Sequence, residues 1–156
     1  MSIDATLVAI QGTGLARAIT KSNHMVIAGL QVAHVFGLLL LLAALILITL
    51  RLLGWVLLRE QLSQVIRTPV RMFWCGLALV LLSGAMMFLS GPKHYFYNRA
   101  FEVKMLLLVL AVAAQVPILR RLADDQAILP PVKLAAALSL VLWFGIAVAG
   151  RAIGFV

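Results

Sequence analysis

The chain has 156 residues, of which 64% are hydrophobic and 12% are charged, and its mean hydropathy is +1.12. A soluble domain has about 45–50% apolar and about 25% charged residues, and a chain this short could not bury so much apolar side chain. The composition therefore excludes a soluble enzyme, a disordered tail and a disulfide scaffold, and it predicts an integral membrane protein. The net charge of +8 does not indicate nucleic-acid binding, because basic residues beside membrane spans fix topology.

Residues 4–21 mix apolar and polar side chains and predict a short interfacial helix. Four later apolar runs are each long enough for a helix that crosses about 30 Å of hydrocarbon. These predicted spans are residues 25–50, 72–90, 103–119 and 132–153. Residues 55–68, between the first two spans, carry apolar and polar residues at helical spacing, so we expect them to lie flat on the membrane or to extend the first helix.

The predicted fold class is all-α, an integral four-helix transmembrane bundle formed by a single domain over residues 1–156. Backbone groups in lipid must be satisfied internally, and the long Leu- and Ala-rich runs exclude the alternative of a closed barrel. The loops after the first and third spans hold slightly more Lys and Arg than the opposite side. The positive-inside rule then predicts that both termini lie on the outer, periplasmic side of the membrane.

His34 is the main candidate for a functional residue, because ionisable groups inside a span are costly. It lies about 13 Å along the first span. Gln31 precedes it on the same helical face, so Gln31 or a nearby carbonyl could accept a hydrogen bond from its second ring nitrogen. Three interpretations stay open: a neutral imidazole bonded to another helix, a haem or metal ligand, and a proton or quinone contact.

Four further residues are predicted near the periplasmic end of the bundle. His24 and His94 are either solvated surface residues or the second ligand beside His34, and we name His34 and His94 as the candidate metal pair. Lys104 and Arg151 either extend to the head groups or supply positive charge to haem propionates, a quinone oxygen or a lipid phosphate.

Small residues repeat every fourth position at Gly29, Ala33 and Gly37 of the first span. Such a stripe lets another helix approach closely. It predicts packing within the bundle or, alternatively, a homodimer. Gly76 and Gly84 form a looser pair on the second span.

Three segments together resemble a family of uncharacterised bacterial four-helix membrane proteins, a domain of unknown function. They are Q-V-A-H-V-F-G (31–37), Y-F-Y-N-R-A-F-E-V-K (95–104) and L-S-L-V-L-W-F-G-I-A-V-A-G-R (138–151). The resemblance covers nearly the whole chain and implies the fold and topology, without an established activity. Where this chain has Gln31, the family often has an acidic residue. More distantly, the chain is similar to copper-resistance protein D and to small membrane b-type cytochromes.

The leading hypothesis is a small membrane redox subunit that binds b-type haem and passes electrons between a periplasmic partner and quinone. His34 is then one axial ligand, and the other is His94, His24 or His34 of a second copy. The first alternative is a copper- or metal-handling transporter that uses His34 and methionines such as Met86, Met87 and Met105. The second is a non-catalytic membrane anchor or assembly subunit of a larger complex. No motif of a stand-alone enzyme is present.

Overall fold

The computed structural model describes residues 3–22, 24–123 and 129–153. The described residues form helices joined by short loops, which confirms the all-α fold class. In chain order the helices are α1 (Ile3–Gln11), α2 (Gly14–Thr20), α3 (His24–Leu53), α4 (Leu62–Ser90), α5 (Pro92–Phe96), α6 (Arg99–Ala123) and α7 (Pro130–Ala152). The four helices α3, α4, α6 and α7 are long and apolar enough to cross a membrane.

The N-terminal segment forms two short helices rather than one. The chain breaks at Thr13, whose side chain accepts a hydrogen bond from the Ala16 amide and caps α2. The two helices pack against one end of the bundle, where the Thr20 hydroxyl oxygen lies 3.4 Å from the Ser90 carbonyl oxygen. The Tyr97 hydroxyl donates to the Asp4 carboxylate at 2.9 Å, and this bond is the main reason that the pKa of Tyr97 is raised above its usual value.

The prediction that residues 55–68 extend the first helix was wrong, and their lying flat on the membrane stays a prediction. Helix α3 ends at Leu53. Gly54 follows with a φ of 82°, and the Trp55 amide donates to the Leu50 carbonyl. This is the six-to-one bond of a helix end closed by glycine. A loop follows, and α4 begins at Leu62 rather than at residue 72, so it runs through Pro69.

The closest packing in the bundle joins α3 to α4. A Cβ atom added at Gly76 would lie 2.7 Å from the Gly37 carbonyl oxygen and 2.9 Å from the Leu41 amide nitrogen. Gly37 of the small-residue stripe therefore packs inside the bundle. Gly29 is exposed, and a Cβ atom there would meet nothing within 4 Å. Homodimerisation through the outer part of the stripe stays a prediction.

A polar contact lies deep between α6 and α7. The Ser139 hydroxyl donates to the Gln115 side-chain oxygen at 2.7 Å, and both residues are buried. One turn along α7, Trp143 packs edge-on against Phe73 of α4, with ring centroids 5.8 Å apart. These contacts fix the rotation of α7 in the bundle, so the residues at its far end, including Gly150, face a defined neighbour.

We expect Ser139→Ala to lower the free energy of unfolding by about 1 kcal/mol, because it leaves the buried Gln115 oxygen without its donor. Equilibrium unfolding of the purified protein in mixed micelles measures the change. Ser90→Ala is the matched control, since the Ser90 hydroxyl donates to the Met87 carbonyl of its own helix. Equal losses in the two variants would contradict a stabilising contact between α6 and α7.

Candidate functional site

The candidate site is centred on the imidazole of His34, on the half of α3 nearer its N-terminus. Its Nδ1 lies 3.0 Å from the Ser83 hydroxyl oxygen on α4. That hydroxyl donates its own proton to the Leu79 carbonyl one turn earlier. Because the hydroxyl proton is already committed, the Ser83 oxygen accepts from the ring. The contact therefore assigns the proton to Nδ1 and leaves the lone pair of Nε2 as an acceptor.

The second ring nitrogen faces a lysine on another helix. Lys104 Nζ lies 3.2 Å from His34 Nε2, and the ammonium donates to the ring nitrogen. Lys104 is half-buried near the start of α6. The hydrogen-bonded chain therefore runs from Lys104 through His34 to Ser83 and joins three of the four spans.

Two glycines leave space for the side chains of His34 and Lys104. A Cβ atom at Gly84, next to Ser83, would lie 3.2 Å from the His34 ring, which is tighter than ordinary packing. A Cβ atom at Gly150 of α7 would lie 3.4 Å from Lys104 Nζ. Larger residues at these positions would crowd the ring and the ammonium. All four membrane-spanning helices therefore shape the site.

The ammonium of Lys104 has spare hydrogen-bonding capacity. It carries three N–H donors, and the contact that the structure gives for it among the described residues is the single bond to His34. Within that described part, no carboxylate lies at ion-pair distance from it. A cation inside an apolar bundle is costly unless it is paired. The site is therefore suited to an incoming oxygen, either a carbonyl or an anion.

The other predicted site residues are exposed. Gln31 and His24 are exposed on α3, and the partner of the His34 Nδ1 is Ser83 rather than Gln31. Arg151 is exposed at the end of α7. His94 is exposed on α5, with its ring edge-on to Tyr95. His94 lines a surface cavity of about 340 Å³ with Lys93, Tyr97, Asn98 and Arg99.

The contacts of His34 do not fit a haem or metal site as they stand. An Nδ1–H bonded to a protein acceptor is the usual arrangement of a ligating histidine. However, an ammonium at 3.2 Å faces the Nε2 that an iron would need. The described residues also contain no group of three His, Cys, Asp or Glu that could hold a metal ion. Ligation by His34 with His94 stays a prediction that these contacts do not favour.

A model of a known protein family matches residues 10–156 of the chain. The matching family is described as "Family of unknown function (DUF6644)". The chain belongs to this family. No curated protein and no solved structure matches the chain. DUF6644 membership thus confirms the resemblance to a family of unknown function, and it carries no activity with it. The similarities to copper-resistance protein D and to cytochromes find no support here and stay predictions.

One residue of the site in this DUF6644 chain was missed by the sequence reasoning. Ser83 is the only hydroxyl residue between Met72 and Leu89, and that isolation in an apolar run is a signal that could have found it. Gly84 was noted only as part of a packing pair, whereas here it lies against the His34 ring. Gly150 lies beside Lys104, so its small size has a local reason as well.

Proposed function

We propose that the chain is a membrane subunit of a redox complex and that the His34–Lys104 pair binds the head group of a quinone. The observation that carries the proposal is the Lys104 ammonium, which is held inside an apolar bundle by a neutral imidazole. An unpaired cation at this depth costs free energy, and such residues usually serve a ligand or a proton path. The proposal combines two hypotheses from the sequence, a redox subunit and an anchor subunit of a larger complex.

The side chains of this site can hold a quinone by a hydrogen bond and stabilise the charge that develops during its reduction. Each quinone takes up two electrons and two protons to become a quinol. In this proposal the electrons come from a reduced partner subunit and the two protons come from water at the membrane surface. Lys104 donates a hydrogen bond to a carbonyl oxygen and stabilises the negative charge that develops there. The His34 Nε2 accepts a hydrogen bond from Lys104 and so holds the ammonium in place, while Ser83 fixes the orientation of the His34 ring.

The position of the pair allows a ligand to arrive from the bilayer. Lys104 is only half-buried, and its neighbours Val103 and Met105 on α6 are exposed on the apolar surface of the bundle. A lipid-soluble quinone therefore meets the ammonium without crossing the tightly packed contact of Gly37 with Gly76. A water-soluble substrate would have no such route through the hydrocarbon.

Photolabelling with a quinone analogue tests this proposal. We expect saturable labelling of the purified protein in nanodiscs, mapped to α3 and α6. Lys104→Met should weaken binding about tenfold, because it removes one hydrogen bond from a charged donor. Lys133→Met is the matched control, since Lys133 is a half-buried lysine near the start of α7, at the other end of the bundle. Unchanged labelling in Lys104→Met would contradict the proposal.

The haem and copper hypotheses have their own measurements on the same preparation. A Soret band that is lost in His34→Ala would favour haem, and stoichiometric copper in a colourless sample would favour a metal-handling protein. A protein that binds no haem, no copper and no quinone would favour the hypothesis of an anchor or assembly subunit. These outcomes keep the three hypotheses distinguishable on one purified sample.

We also propose that the chain lies in a bacterial inner membrane, as the resemblance to bacterial membrane proteins implies, and that both termini are periplasmic, as the Lys and Arg distribution predicts. Alkaline phosphatase fused after residue 156 should be active, whereas the same enzyme inserted into the loop at residues 55–61 should be inactive. Green fluorescent protein should give the opposite pattern at both positions. The reverse pattern would place His34 and Lys104 in the cytoplasmic half of the membrane.

A further inference from the structure

A second candidate site lies at the opposite end of the bundle from His34. Here α4 begins and α6 ends, and a groove of about 180 Å³ opens between the two helices. We call it the α4–α6 groove. Its lining residues are Val70, Trp74, Val116, Leu119 and Arg120. The groove is thus apolar along its length, with a single cationic side chain.

The groove opens to the lipid-facing surface. Trp74 is 44% exposed there, and Arg120 is exposed three residues before α6 ends. Tryptophan and arginine near the ends of spans are placed to meet lipid head groups. An apolar groove at this depth is filled by hydrocarbon chains, since water does not enter the hydrocarbon region.

The charge around the groove selects among lipids. Arg120 lines it, and Arg67 and Arg71 of α4 are exposed at the same end of the bundle. Asp124 and Asp125 follow in the sequence and lie outside the described residues. An arginine guanidinium matches a phosphate group in shape and charge.

We propose that the α4–α6 groove binds an anionic phospholipid, with an acyl chain against Val70, Trp74 and Val116 and the phosphate against Arg120. The site is independent of the quinone proposal, because it lies at the other end of the spans and shares no residue with the His34–Lys104 pair. Lipid bound there would bridge α4 and α6, which contact each other less extensively than α4 contacts α3.

Native mass spectrometry of the protein released from nanodiscs tests the groove. We expect phosphatidylglycerol to remain bound in preference to phosphatidylcholine. Arg120→Gln should lower the affinity for phosphatidylglycerol about fivefold, because one cation beside a head group contributes about 1 kcal/mol. Val116→Phe fills the groove and keeps the arginine, so it should release the lipid as well.

Arg121→Gln is the matched control, since it removes the same charge from the neighbouring residue, which does not line the groove. Its lipid binding should equal that of the unchanged protein. An equal loss in Arg121→Gln would show diffuse surface attraction and overturn the site. Equal retention of the two lipids, or unchanged binding in Val116→Phe, would overturn it too. Arg120 and Arg121 are both exposed, so neither change should impair folding.

Discussion

Gly76→Leu should destabilise the bundle by about 3 kcal/mol or more, the upper end of the cost of overpacking a tight core. The reason is the identity of the atoms that a side chain at this position would meet. A Cβ atom there would lie 2.7 Å from the Gly37 oxygen and 2.9 Å from the Leu41 nitrogen, which are backbone atoms of α3. A side-chain neighbour could change rotamer, but backbone can give way only if α3 and α4 separate.

Gly29→Leu is the control for this prediction, because the chemical change is the same and Gly29 is exposed with open space around it. Unfolding of the two variants in mixed micelles should give a large loss for Gly76→Leu and almost none for Gly29→Leu. Similar losses would mean that leucine acts through helix propensity or through the lipid-facing surface. In that case the close approach of α3 to α4 would not limit stability.

The four spans could be predicted from the sequence because the signal is their hydropathy, which depends on composition and length alone. Their ends could not, because a membrane helix continues past the hydrocarbon into polar residues. The start of α4 shows this best. The second span was predicted to begin at residue 72, yet α4 begins at Leu62 and contains Pro69, because neighbouring helices let a span tolerate a proline.

The candidate site was predicted in part, for a related reason. His34 and Lys104 stand out individually by the cost of polar groups in lipid. Their contact joins helices that are 70 residues apart in the chain, and it depends on how α3 and α6 are rotated. A helix that is apolar on all sides gives little information on rotation, so local spacing favoured Gln31 as the partner of His34. The structure turns Gln31 outward and places Ser83 at the ring instead.

The largest expected effect at the site is an asymmetry between its two members. His34→Leu should lower the free energy of unfolding by about 2 kcal/mol, because the Lys104 ammonium loses its acceptor inside the bundle. Ser83 adds nothing to this loss, since its hydroxyl keeps its bond to the Leu79 carbonyl. Lys104→Met should leave stability unchanged or raise it, because the remaining imidazole is neutral and still bonded to Ser83.

The double variant, His34→Leu with Lys104→Met, should then recover most of the stability that His34→Leu alone loses. Unfolding of the four proteins in mixed micelles completes this mutant cycle. If Lys104→Met lowers the free energy of unfolding as much as His34→Leu does, the pair stabilises the packing of the helices. The positive charge of Lys104 is then explained without a ligand. If instead Lys104→Met costs nothing in stability and weakens quinone labelling, the fold does not require the cation. The positive charge of Lys104 would then serve quinone binding, since it does not stabilise the fold.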